Sequence, residues 1–126
     1  MFKVLEGTGG DVLAVEISGS YTVEDVEQFE KAAEAQLALG NQRINILAKI
    51  DKLDLLKIEP KAFFKDSKYA LGHIKQMRHL AIVGDSKLEE VMVKLDNLIF
   101  GSEKKELIEK YFNVADMEQA WKFVRS

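Results

Sequence analysis

Arg78-His-Leu-Ala-Ile-Val-Gly-Asp85, followed by an amphipathic run from Ser86 to Phe100, is the stretch that decides the fold of this chain. Leu80 to Val83 form a short unbroken apolar run, as expected of a strand buried on both faces. Gly84 lets the backbone turn, and Asp85 or Ser86 has the side chain to cap the next helix. A strand, a turn and a helix in that order imply a parallel sheet with helices packed on it.

Upstream, Phe2 to Leu5 and Val12 to Ile17 read as two strands joined by Gly7-Thr8-Gly9-Gly10-Asp11, an N-terminal antiparallel hairpin. The Gly9-Gly10 pair neither follows a buried strand nor opens a helix, so it is a hairpin tip and not a phosphate loop. Thr22 is placed to cap a helix over about 23–39, with Glu24 and Asp25 in its first turn and Gly40 past its end. Val26, Phe29, Ala33 and Leu37 recur at helical spacing and should face the sheet. Ile44 to Ile50 is the third strand and Asp51 to Glu59 a loop. Pro60 opens a helix over about 61–77, with Phe63, Ala70, Ile74 and Met77 on its buried face. Residues 105–112 read as a last strand, and 115–124 as a final helix that buries Met117, Ala120, Trp121 and Val124. The sum is β-β-α-β-α-β-α-β-α: one α/β domain over 1–126, with a single mixed, mostly parallel sheet and flanking helices.

Composition narrows the function classes. The chain of 126 residues is 47% hydrophobic and 31% charged, ordinary for a folded domain. A formal net charge of −3 argues against generic nucleic-acid binding, which needs an excess of Lys and Arg. Cysteine is absent, which excludes disulfides, thiolate metal sites and thiol catalysis. No run reaches membrane-spanning length and MFKVLEGTGG lacks a signal-peptide core, so a cytoplasmic protein is expected.

Charge is uneven along the chain. Between Lys57 and Arg78 there are six basic and two acidic residues. Lys61, Lys65, Lys68 and Lys75 gather on the face of the second long helix opposite the buried one, with Phe64 and Leu71 on the flank between. A solvated face is the plainer reading of such a stripe. The functional reading is attraction to anionic lipid or to an acidic protein, at the inner face of the membrane in the first case.

The helix after Asp85 carries more apolar surface than one face requires: Val93 and Phe100 fall outside its main stripe. If the two helices part slightly, Phe63, Phe64, Leu71, Met92, Leu95 and Ile99 are expected to wall a pocket for a small apolar ligand. Met92 is also ordinary core filler. Val93 and Phe100, with Lys61, Lys65 and Lys68, form the expected contact with a membrane, a protein partner or a second copy of the chain.

Chemistry is thinly represented. Asp66 and His73 lie two turns apart on one helical flank, where a carboxylate can orient an imidazole. No nucleophile or third ligand stands at a recognisable spacing, so a structural hydrogen bond is the better reading. Asp85 ends a central strand, where open α/β sheets take ligands, but an N-cap is the commoner use of such an aspartate. No catalytic, metal or cofactor site is expected, and an enzyme is the least supported class.

Asp66-x-Lys68-x-x-Leu71-x-His73, running into Arg78-x-x-Ala81-Ile82-Val83-Gly84-Asp85, resembles the SpoIIAA-like family, whose fold is related to the STAS domains of anti-sigma-factor antagonists. Val15-x-x-Ser18-Gly19 with Thr22 and Asp25 agrees less specifically. The resemblance implies a sheet flanked by helices and a regulatory or carrier-like role without catalysis. Family members often carry tryptophan soon after the Gly-Asp pair, where this chain has Leu88. Antagonists of this type switch by phosphorylation of a serine after the third strand. Here 51–57 reads Asp-Lys-Leu-Asp-Leu-Leu-Lys, without serine or threonine, so that switch does not carry over.

Overall fold

The computed structural model describes residues 1–85 and 107–126, leaving aside the side chains at 53–56, 58, 63, 64, 67, 70, 71 and 74. Its strands are β1 (Phe2–Val4), β2 (Val12–Tyr21), β3 (Ile44–Ile58), β4 (Met77–Gly84) and β5 (Ile108–Asn113). The helices are α1 (Val23–Ala38), α2 (Pro60–Gly72) and α3 (Met117–Val124). The expected helix over 86–100 lies outside the described residues.

The strands form one mixed sheet in the order β1-β2-β3-β4-β5. β1 runs antiparallel to β2, and the other neighbours are parallel. This is the expected sheet, and its core follows from the period of two along each strand. Leu13 and Val15 of β2 pack with Ile44 and Ile46 of β3, Met77 of β4 and Ala33 of α1 on one face. Val12 and Ala14 pack with Leu47, Ala81, Val83, Ala120 and Val124 on the other, where α3 lies. Leu13, Ile44, Ile46, Leu47, Val15, Val26, Val83 and Val124 are the largest fully buried side chains. Each contributes about 1.5–3 kcal/mol. Exposed ion pairs contribute about 0–1 kcal/mol each, so these apolar layers hold the fold and surface pairs only orient it.

Local chemistry places α1. Asp25 N–H donates to Thr22 Oγ1 at 3.3 Å, and Thr22 N–H donates back to Asp25 Oδ2 at 2.9 Å, closing a capping box. Gly40, with φ of 97°, follows the C-terminus in a left-handed turn.

Two boundaries differ from the sequence expectation. Residues 51–58 are not a loop: β3 continues to Ile58, pairing Ser18 with Asp51, Gly19 with Leu53 and Tyr21 with Ile58. The register shifts between these pairs, and Lys52 has φ of 48°, so the extension is a bulged strand. The second helix ends at Gly72, not at Met77. A 3₁₀ turn over Ile74–Gln76 follows, and Met77 opens β4 beside Ile44. Its burial belongs to the sheet.

Candidate interaction face on the second helix

Of the four lysines expected to share the outer face of the second helix, Lys61, Lys65 and Lys68 lie on α2 and Lys75 falls in the turn after it. Lys61 and Lys68 are exposed. Lys65 turns aside toward α1, its Nζ 3.6 Å from Glu30 Oε1. Ala62 is fully buried at the start of the helix. The sequence reading left Ala62 off the buried face. Lys57, Lys75 and Arg78 are exposed at the two ends of this segment.

The two acids of the segment are both engaged by neighbouring elements, Glu59 while exposed and Asp66 while partly buried. Glu59 Oε1 accepts from the backbone N–H of Val23 at 3.3 Å, at the start of α1. Asp66 accepts a hydrogen bond from the Tyr21 hydroxyl at the end of β2. Burial pushes the Asp66 carboxyl up to about 6, the Tyr21 bond draws it down, and the charge of Glu30 adds to the rise. Burial also pushes the Tyr21 hydroxyl upward, with Asp66 and then Asp25 and Glu30 adding to it. Tyr21 is a neutral donor.

Asp66 and His73 are not a pair. Seven residues of helix separate them by roughly 10 Å along the axis. His73 instead stacks on Tyr69, ring centroids 4.1 Å apart, and its Nδ1 lies 2.9 Å from the Tyr69 carbonyl oxygen. Its Nε2 faces Glu34 Oε1 of α1 at 3.4 Å, and the Tyr69 hydroxyl donates to the same oxygen at 2.9 Å. Burial, then Glu34, pushes the Tyr69 hydroxyl upward. Phe29 meets Tyr69 edge-on at 6.3 Å and meets Phe2 in the same manner. An aromatic row thus runs from β1 across α1 to α2. The sequence reading missed Glu34 and Tyr69; the i,i+4 spacing of Tyr69 and His73 was the signal available.

His79 is buried in the sheet and bonded to Asn45. Asp85 is exposed at the end of β4. The strand order is sequential, so the described sheet has no point where that order reverses. Of the expected ligand pocket, the side chains of Phe63, Phe64 and Leu71, and the whole of Met92, Leu95 and Ile99, lie outside the described residues. Val93 and Phe100 lie outside them too. Among the described residues, no group of three or more His, Asp or Glu could hold a metal ion, and no helix is long and apolar enough to cross a membrane.

On the opposite face, an open depression of about 370 Å³ is lined by Glu6, Glu118, Trp121, Lys122 and Arg125. The Arg125 guanidinium lies over the Trp121 indole at 4.5 Å. That cation occupies the aromatic face a ligand would use.

Comparison with known proteins agrees with this geometry. A solved structure of an uncharacterised protein of the DUF3478 family from Shewanella loihica PV-4, with a SpoIIAA-like fold, is 26% identical. It superposes with a TM-score of 0.71, covering 98% of this chain and 92% of that one. A search of curated proteins finds no match. The family model for SpoIIAA-like proteins matches residues 12–125, and the chain belongs to the SpoIIAA-like family.

Proposed function

We propose that this is a non-enzymatic regulatory binding protein that engages an acidic protein partner through the outward face of α2. One observation carries the reading: the two acids of the 57–78 segment are engaged, Glu59 at the Val23 N–H and Asp66 at the Tyr21 hydroxyl, while Lys57, Lys61, Lys68, Lys75 and Arg78 are exposed. Membership of a family related to STAS interaction modules supports a protein partner over a membrane. Each exposed charge pair contributes about 0–1 kcal/mol, so such a face steers and selects a partner more than it anchors one. Binding therefore weakens as salt screens it. The same cations would be drawn to anionic lipid by roughly 1 kcal/mol each near the surface. A cytoplasmic site of action, peripheral to the membrane in that second case, belongs to the same proposal.

Affinity capture with the wild type and with Lys61→Glu/Lys68→Glu tests it, alongside co-sedimentation with anionic vesicles. The expected result is a partner retained by the wild type and lost by the variant, with neither protein pelleting on vesicles. Equal retention by both proteins refutes the face. Pelleting of the wild type alone transfers the face to lipid.

A further inference from the structure

The two edges of the sheet differ. β1, at one edge, has three residues, and its middle one, Lys3, is exposed. A short strand with an outward lysine is a poor template for a further strand. β5, at the other edge, has six residues, Ile-Glu-Lys-Tyr-Phe-Asn, without glycine or proline. Its register with β4 runs from Ile108 to Asn113 without a shift, so no bulge twists it away. Among the described residues, no strand pairs with its other side. Ile108 at its start and Val114 just past its end are 52% and 45% exposed.

Side chains alternate along this edge. Lys110 and Phe112 both meet Phe123 of α3, at 5.5 and 5.8 Å, so the even-numbered positions face α3 and the odd-numbered ones face the other layer. A two-fold axis perpendicular to the sheet sets β5 antiparallel to β5 of a second copy and keeps each face on its own side. The axis then passes through one residue, which meets its own copy. Centred on Glu109 or on Lys110, it puts like charges directly opposite, which destabilises a strand pair. Centred on Tyr111 it avoids both. Lys110 then lies opposite Phe112 of the second copy, Glu109 opposite Asn113, and the exposed Ile108 beside the turn that carries Val114. An axis at Phe112 pairs only 111–113.

We propose that β5 is a self-association edge: two copies of the chain pair antiparallel through it, about an axis at Tyr111, and join their sheets into one. A second copy is the occupant because the strand is complementary to itself in this register and the pairing closes after two chains. Pairing of β5 with β1 would instead be heterologous and open-ended, and the short β1 offers little to it. One strand pair is small beside the roughly 1,200–2,000 Å² of a stable interface, so the dimer is weak and forms at micromolar concentrations or above. The pairing does not depend on what α2 binds.

Sedimentation of the unmodified chain from about 10 µM to about 1 mM tests the proposal, the span over which weak interfaces assemble. The weight-average mass should climb from that of one chain toward that of two. Over the same span amide exchange in 109–113 should slow, while Lys3 and Val4 of β1 stay unchanged. A monomer throughout, growth beyond two chains, or slowing at β1 and not at β5 overturns the pairing. Single-cysteine variants read the register, since the chain has no cysteine of its own. Under mild oxidation Tyr111→Cys should give a covalent dimer, because residues meeting on the axis have Cβ atoms about 4.5–5.5 Å apart. Lys110→Cys should cross-link far less, because its two copies stand on a diagonal of about 7–8 Å. Equal or greater cross-linking at 110 overturns the register, and the measurements on the unmodified chain stand whether or not either variant folds.

Discussion

His79 and Asn45 meet twice. Asn45 Oδ1 accepts from the backbone N–H of His79 at 3.1 Å and lies 3.1 Å from its Nδ1. The parallel register between β3 and β4 shifts at this point, between Ile44 and Ile46, and the amide side chain supplies the bond that the ladder omits. Both residues are buried, and the imidazole packs against Phe123 with centroids 4.7 Å apart. Asn45→Ala leaves two buried donors without an acceptor. Urea unfolding should show a loss of about 2–4 kcal/mol.

The same site sets a pH dependence. Burial lowers the His79 pKa, Arg78 lowers it further, and Asp11 opposes them. The unfolded chain thus takes up a proton near the ordinary value of 6.5 while the folded chain does not. Stability from this residue falls as pH drops below about 6.5. His79→Gln removes the effect, so between about pH 7 and pH 5 the wild type should lose stability relative to the variant. The opposite trend from Asp66 is common to both proteins and cancels in the difference.

Gly7 closes the hairpin against α3. Its φ is 98°, and an added Cβ would stand 2.8 Å from Trp121 Cη2. Trp121 is held from another side by Arg125. Gly7→Ala should cost about 1–3 kcal/mol, read as a fall in melting temperature. Gly10, with φ of 58° and open space around it, should tolerate alanine at a smaller loss of about 1 kcal/mol.

The capping box makes Thr22 a further test of local structure. Thr22→Ala removes the acceptor for Asp25 N–H and a hydroxyl that donates to Asp25 Oδ2 at 3.0 Å. A loss of about 1–2 kcal/mol in chemical denaturation is expected, largely restored by Thr22→Ser.

These sites separate what the sequence carries from what it hides. Periodicity identified α1 and α3 because each has a stripe buried against the sheet: Val26 and Ala33 in one case, Ala120 and Val124 in the other. It failed at Met77, where helical spacing continued by coincidence after Gly72 had ended the helix. Asp51–Ile58 read as a loop because its charges resemble one; a bulged extension past the regular ladder accepts them equally well. The lysine stripe was legible as a charge count. The diversion of Lys65 to Glu30 was not, because it depends on how α1 lies beside α2. Asp66 and His73 were read on one helical flank with a structural hydrogen bond as the better reading, but their partners, Tyr21 and Glu34, are distant in sequence and were not legible.

The claim that α2 presents its cations outward to a partner is tested most directly by lysine acetylation footprinting of the free protein and of its complex. Lys61 and Lys68 should lose reactivity on complex formation, while Lys31 of α1 and Lys122 of α3 should not change. Undiminished labelling at Lys61 and Lys68, with protection on the α3 side of the sheet instead, would contradict the account.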